Sequence, residues 1–169
     1  MAMGKKEVVF TVDLEAWNHA LHVDDGGYRG IESIDRLFGL LNLHKIKATV
    51  YVLGRFRIEN PLLVKEIESQ GHVMKEHGIY HDRGEISDRN PYAWLGFTGG
   101  FWFRLFPYWF VKWCILRRGE CYFHPHDLDE NHPKLKHPWF NWKRHVGLKN
   151  ARRKLERLLS DQDIKWVTA

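Results

Sequence analysis

Three short β-branched and aromatic runs, 7–13, 47–52 and 72–75, alternate with segments whose apolar residues recur at helical spacing, and that alternation leaves few folds open. Ile31, Ile34, Leu37, Phe38 and Leu41 mark the first helix. Leu62, Leu63, Val64 and Ile67 mark the second, with Asn60 as its cap, Pro61 at its first position and Gly71 just past its end. Strand, helix, strand, helix, strand predicts βαβ units on a parallel sheet. Ligands of such sheets sit beyond the carboxyl ends of the strands.

Polar residues gather at those ends. The first strand stops at Asp13 and Glu15, and the third runs into His77 and His81. A later run, 120–124, ends on His124, and 164–167 reads as a last short strand. Between them, 101–116 is densely aromatic and predicts a buried or partner-facing helix, with a membrane-surface helix as the alternative. It is too short and too charged to span a bilayer.

A chain of 169 residues with 44% hydrophobic and 28% charged residues matches one globular domain covering residues 1–169, although a full eight-unit barrel usually takes more chain. Residues 1–6 show no apolar leader. Cys114 and Cys121 are too few for a disulfide framework. Both points make a cytoplasmic protein the expectation. The net charge of +5 comes largely from Lys143, Arg144, Lys149, Arg152, Arg153, Lys154 and Arg157. These share a segment with Leu148, Ala151, Leu155, Leu158 and Leu159 at helical spacing, so they read as the wet side of an amphipathic helix. No nucleic-acid module accompanies them, and no nucleic-acid partner is expected.

His77 and His81, four apart on one helical turn, could reach a single ion. With 11 His in the chain such a pair arises by chance, so its place at a strand end carries the argument. Asp13 and Glu15 point to the same side of a strand; one could hold a metal while the other takes a proton from water. The alternative for the acids is a turn or a helix cap. His124 could protonate a leaving amine, with a nearby acid fixing its tautomer; the plainer reading of 124–129 is a polar loop stiffened by Pro125. His132, His137 and His145 read as surface histidines.

Phe10 to Glu15, Ala48 to Gly54, Pro61 to His72, His77 to His81 and Tyr122 to Pro125 occur in the order seen in polysaccharide deacetylases of the NodB-homology type, which this chain resembles most closely over 7–82. The stretch from Gly99 to Trp109 and on to the basic helix resembles the C-terminal part of deacetylases linked to exopolysaccharide assembly. The resemblance implies an α/β fold, a (β/α) barrel, and metal-dependent removal of acetyl groups from an N-acetylated carbohydrate. It implies Asp13 as base, His77 and His81 as ligands of a divalent metal, zinc by expectation, and His124 as acid. The family's adjacent aspartates are not kept: Leu14 follows Asp13, and Glu15 looks like the substitute ligand.

Only 38 residues separate His81 from Glu120, whereas one strand-helix-strand unit takes about 30. A shortened barrel is therefore expected, without the family's arginine-and-proline third motif. Open sheet edges would suit a homo-oligomer. Three functions follow: deacetylation of a glycan, binding of a glycan or partner by a catalytically impaired relative, and hydrolysis of a different amide. Trp17, Trp94, Trp102, Trp109 and Trp139 are candidate sugar-stacking faces, with core packing as the alternative.

Overall fold

The computed structural model describes residues 4–16, 30–80 and 96–169. Its centre is β1 (Lys6–Leu14), in which every residue from Phe10 to Leu14 is buried. On one edge β1 pairs with β4 (Glu120–Phe123). On the other it pairs first with β5 (Ile164–Val167) and then with β2 (Thr49–Val52), to which β3 (Val73–Glu76) is added. All of these pairings are parallel. The division of one edge between β5 and β2 follows from the register: Val9 lies opposite both Glu120 and Val167, and Thr11 opposite both Thr49 and Tyr122. Where β5 runs out, the Thr49 hydroxyl meets the Ala169 carbonyl at 3.3 Å.

Because side chains alternate along a strand, β1 has two unlike faces. Val8, Phe10, Val12 and Leu14 are fully buried and join one contiguous apolar cluster, each large side chain contributing about 1.5–3 kcal/mol. Phe123 stacks on Phe10 at 5.4 Å. Onto this cluster pack α1 (Ile31–Leu43), α2 (Gly54–Glu59) and α3 (Pro61–Ser69) from the first half of the chain. From the second half come α4 (Gly100–Leu105), α5 (Tyr108–Arg118) and α7 (Leu148–Leu159). Between α5 and α7 lie a 3-10 turn (Pro125–Leu128) and α6 (Pro138–His145), which buries no residue. The other face of β1 carries Thr11, Asp13 and, just past its end, Glu15.

Several expectations change here. The aromatic stretch 101–116 is two helices, broken where Pro107, which has no N–H to give, starts α5. Among the described residues no helix is long and apolar enough to cross a membrane. Asn60 precedes α3 but makes no cap bond; its amide donates to the Phe56 carbonyl and closes α2 instead. His77 is not on a helical turn. Its N–H donates to the Val52 carbonyl at 3.1 Å and Gly78 follows at φ 80°, so the chain continues beside β2 rather than coiling.

Candidate active site

The polar face of the sheet sets the site. Asp13 lies opposite Tyr51 and Tyr51 opposite Lys75, so the next in-register row carries Glu15, Leu53 and His77. The Tyr51 and His77 rings lie 6.4 Å apart, which places the imidazole on the Asp13 face. On the other side, Thr11 faces Tyr122, and two residues on, just past β4, His124 falls on the same face. Asp13, Glu15 and His124 thus meet because two parallel strands, β1 and β4, end together. His124 Nε2 is 3.7 Å from Asp13 Oδ2 and 3.5 Å from Glu15 Oε1. Both acids are buried, at 5% and 3% exposure. His81, Trp17 and Trp94 lie outside the described residues.

Behind His124 is a second layer, built on the 124–129 segment for which the sequence allows either an acid beside His124 or a plain polar loop. Pro125 holds His124 extended (φ −101°, ψ 149°), and the turn brings Asp127 back beneath it. Asp127 Oδ2 accepts the His124 backbone N–H at 2.9 Å and lies 3.4 Å from its Nδ1. Arg104 Nε donates to Asp127 Oδ1 at 3.2 Å, and the rest of the guanidinium bonds the carbonyls of Lys143, Arg144 and Val146. Arg104 is thus a buried clamp, although nothing in its sequence neighbourhood matched the expected arginine motif.

The charges follow from these contacts. Burial alone would push the His124 imidazole down, but its bond to Asp127 and the charges of Asp13, Glu15 and Asp127 outweigh that and hold it up at about 9. Burial would raise Asp127, yet the His124 bond and Arg104 keep it well below the ordinary carboxylate range. His126 stacks on His124 at 4.7 Å; burial, with the His124 charge adding to it, pushes it well below its usual value. His126 and His132 are both buried, a correction to the loop and surface readings, and His145 is half-buried, its ring nitrogens on the Asn141 and His132 carbonyls.

A cavity of about 410 Å³ opens beside this layer, lined among others by Glu15, Phe101, Arg104, His124, Lys143 and Arg144. Lys143 and Arg144 therefore belong to the cavity wall on α6, not to the wet side of the basic helix. Lys154 also leaves that wet side, donating to the carbonyls of Phe103 and Phe106 at the end of α4.

Two donor sets lie near the cavity and the strand ends. His124, His126 and Asp127 have ligand atoms within 4.8 Å of one another, but guanidiniums already sit on two of them: Arg104 on Asp127 and Arg144 on His126 Nε2 at 2.6 Å. A metal there would meet two fixed positive charges. Asp13, Glu15 and His77 carry oxygen and nitrogen donors on one face at the strand ends, and that chemistry fits a divalent ion such as zinc.

The sequence profile of the polysaccharide deacetylase family matches residues 4–93, and that of a domain of unknown function (DUF3473) matches 89–169. The cavity thus joins residues of both stretches. No curated protein matches the chain. Among solved structures, a Mycobacterium smegmatis protein assigned as a polysaccharide deacetylase superposes with a TM-score of 0.58 at 13% identity, over 100% of this chain and 89% of that one. A mutant of a Bacillus anthracis CE4 family pseudoenzyme, with restored enzymatic activity, superposes with a TM-score of 0.52 at 14% identity, over 97% and 66%. At such identity the likeness is one of fold, and the α/β architecture with its parallel sheet matches the NodB-type (β/α) barrel in shortened form.

Proposed function

The chain belongs to the polysaccharide deacetylase family, whose profile covers more than half of it, and we propose that it removes acetyl groups from an N-acetylated glycan, leaving acetate and a free amine. The observation that carries this reading is His124, held between two buried carboxylates at the sheet end and a third behind it.

Glu15, His77 and His81 would hold a divalent ion, zinc by its donor types, which when bound supplies Lewis-acid polarisation of the amide carbonyl and of a water. Asp13 takes the proton of the attacking water. His124, already positively charged near neutral pH, gives a proton from Nε2 to the departing nitrogen. Asp127 accepts from Nδ1 throughout, which fixes the ring so that Nε2 faces the cavity. Arg104 keeps Asp127 charged and in place.

The test couples metal analysis with acetate release from N-acetylglucosamine oligomers. One bound divalent ion per chain and acetate release are expected, and His77→Ala should lose both. Turnover that persists in His77→Ala rules out the ligand assignment; metal-loaded protein that releases no acetate from any N-acetylated oligomer rules out the reaction.

A further inference from the structure

The cavity beside His124 is lined by three fixed cations, Arg104, Lys143 and Arg144, against two carboxylates, Glu15 and Asp127. Both carboxylates lie against His124, and Asp127 also carries Arg104. Arg104 is fully used by that pair and by three carbonyls. Lys143 and Arg144 differ. Among the described residues neither has a carboxylate in ion-pair range. The Arg144 side chain bonds His126 Nε2, a neutral acceptor, and Lys143 Nζ lies over the Phe101 ring at 5.5 Å.

Partly desolvated cations side by side are costly unless opposite charge meets them, and Asp127 and Glu15 act on Arg144 only from beyond ion-pair range. Burial pushes the Lys143 ammonium down, and the charges of Arg144 and Arg104 push it further. An anion in the cavity would relieve that repulsion, and a guanidinium beside an ammonium is suited to carboxylate or phosphate oxygens. The place matters as well, since Arg144 touches the imidazole that stacks on His124. An anion on Arg144 would thus sit near the ring that stacks on the acid.

The approach to this point suits a sugar. Trp139 and Trp142, both exposed on α6, stack at 5.0 Å, and Trp142 meets Phe101 of the cavity wall at 5.8 Å. The rings form a path from solvent to the cavity, with apolar faces that a pyranose can cover. We propose that Arg144 and Lys143 form a subsite for an anionic substituent, a carboxylate or a phosphate, borne by the glycan beside the acetamido group, so that the site selects acidic N-acetylated polysaccharide. The acetamido part of this statement rests on the deacetylase reading.

Titration calorimetry with three oligosaccharides of equal length tests it: a neutral N-acetylglucosamine oligomer, one carrying a uronic-acid carboxylate, and one carrying a phosphate. The wild-type protein should bind at least one charged oligomer about tenfold tighter than the neutral one, by a margin that shrinks as salt is added. The tighter of the two names the anion. Lys143→Gln, at an exposed position, should reduce the charged-to-neutral ratio on its own, and Arg144→Gln should bring it near one. Arg144→Lys, which keeps the charge but not the fork, should fall between. Equal affinity for all three oligomers, or a ratio unchanged in Lys143→Gln and Arg144→Gln, overturns the inference. Acetate release judges the other reading separately: charge-selective binding without acetate leaves the subsite standing alone, and acetate release without charge selectivity removes only the subsite.

Discussion

Arg104 and Asp127, 23 positions apart, form an ion pair in which both side chains are 2% exposed. Asp127 touches His124 with its other oxygen, so the pair connects α4 to the site. It also ties α4 to the end of α6 through the Lys143, Arg144 and Val146 carbonyls.

Removing one partner of such a pair strands the other in the interior. Arg104→Met should destabilise the protein by about 3–5 kcal/mol, read as a lower urea midpoint. Replacing both, Arg104→Met with Asp127→Leu, should recover much of that loss. An undiminished midpoint in Arg104→Met would mean that the pair is not buried in solution.

Asp127→Asn keeps the shape beneath His124 but withdraws its charge. Acetate release should fall by about 10²–10⁴-fold, since an acid that loses its orienting partner and part of what holds its proton loses its general-acid contribution, while bound metal stays at one per chain. Near-normal turnover in Asp127→Asn would show that His124 does not depend on it.

His72 predicts how stability follows pH. It is buried, its Nδ1 accepts the Ala48 N–H at 3.0 Å and its ring meets Phe38 edge-on. Burial, with the Lys47 charge adding to it, pushes its pKa down from 6.5 to about 4. Between those values the unfolded chain binds a proton that the folded chain does not, so the contribution is present above about 6.5 and is lost as pH falls toward 4. The loss should be on the order of 2–3 kcal/mol. In His72→Asn, which keeps an acceptor for Ala48, thermal melts at pH 7 and pH 4.5 should differ less than in the wild type; an identical pH slope would remove His72 as its source.

Two glycines should respond oppositely to alanine. A Cβ on Gly99 would overlap the Tyr122 carbonyl, so Gly99→Ala must push α4 off β4 and should cost more than about 3 kcal/mol. Gly39 lies within α1 and a Cβ there meets nothing within 4 Å, so Gly39→Ala should stabilise by about 0.5–1 kcal/mol. Melting temperatures that move in the same direction would contradict the packing described.

What the chain announces residue by residue is its periodicity. Apolar side chains every second position in β1 and every third or fourth in α1, α3 and α7 need only neighbouring residues to be read, and so does the gathering of Asp13, Glu15, His77 and His124 at strand ends. Local signals also misled where a partner elsewhere prevailed. Asn60 had the look of a cap but found Phe56, and Lys143, Arg144 and Lys154 had the look of one solvated face but were divided between a cavity wall and the end of α4.

By itself, then, the sequence determined the alternating elements, the strand-end acids and histidines and the family pattern they follow, because hydrophobic period and strand termination are local properties. Only the tertiary structure decided that Arg104 would hold Asp127, that Asp127 would stand behind His124, that His126 and His132 would be buried, and that Lys143 and Arg144 would face a cavity. Burial and the choice of a charge partner depend on which distant segments share the same small volume, and no spacing along the chain encodes that.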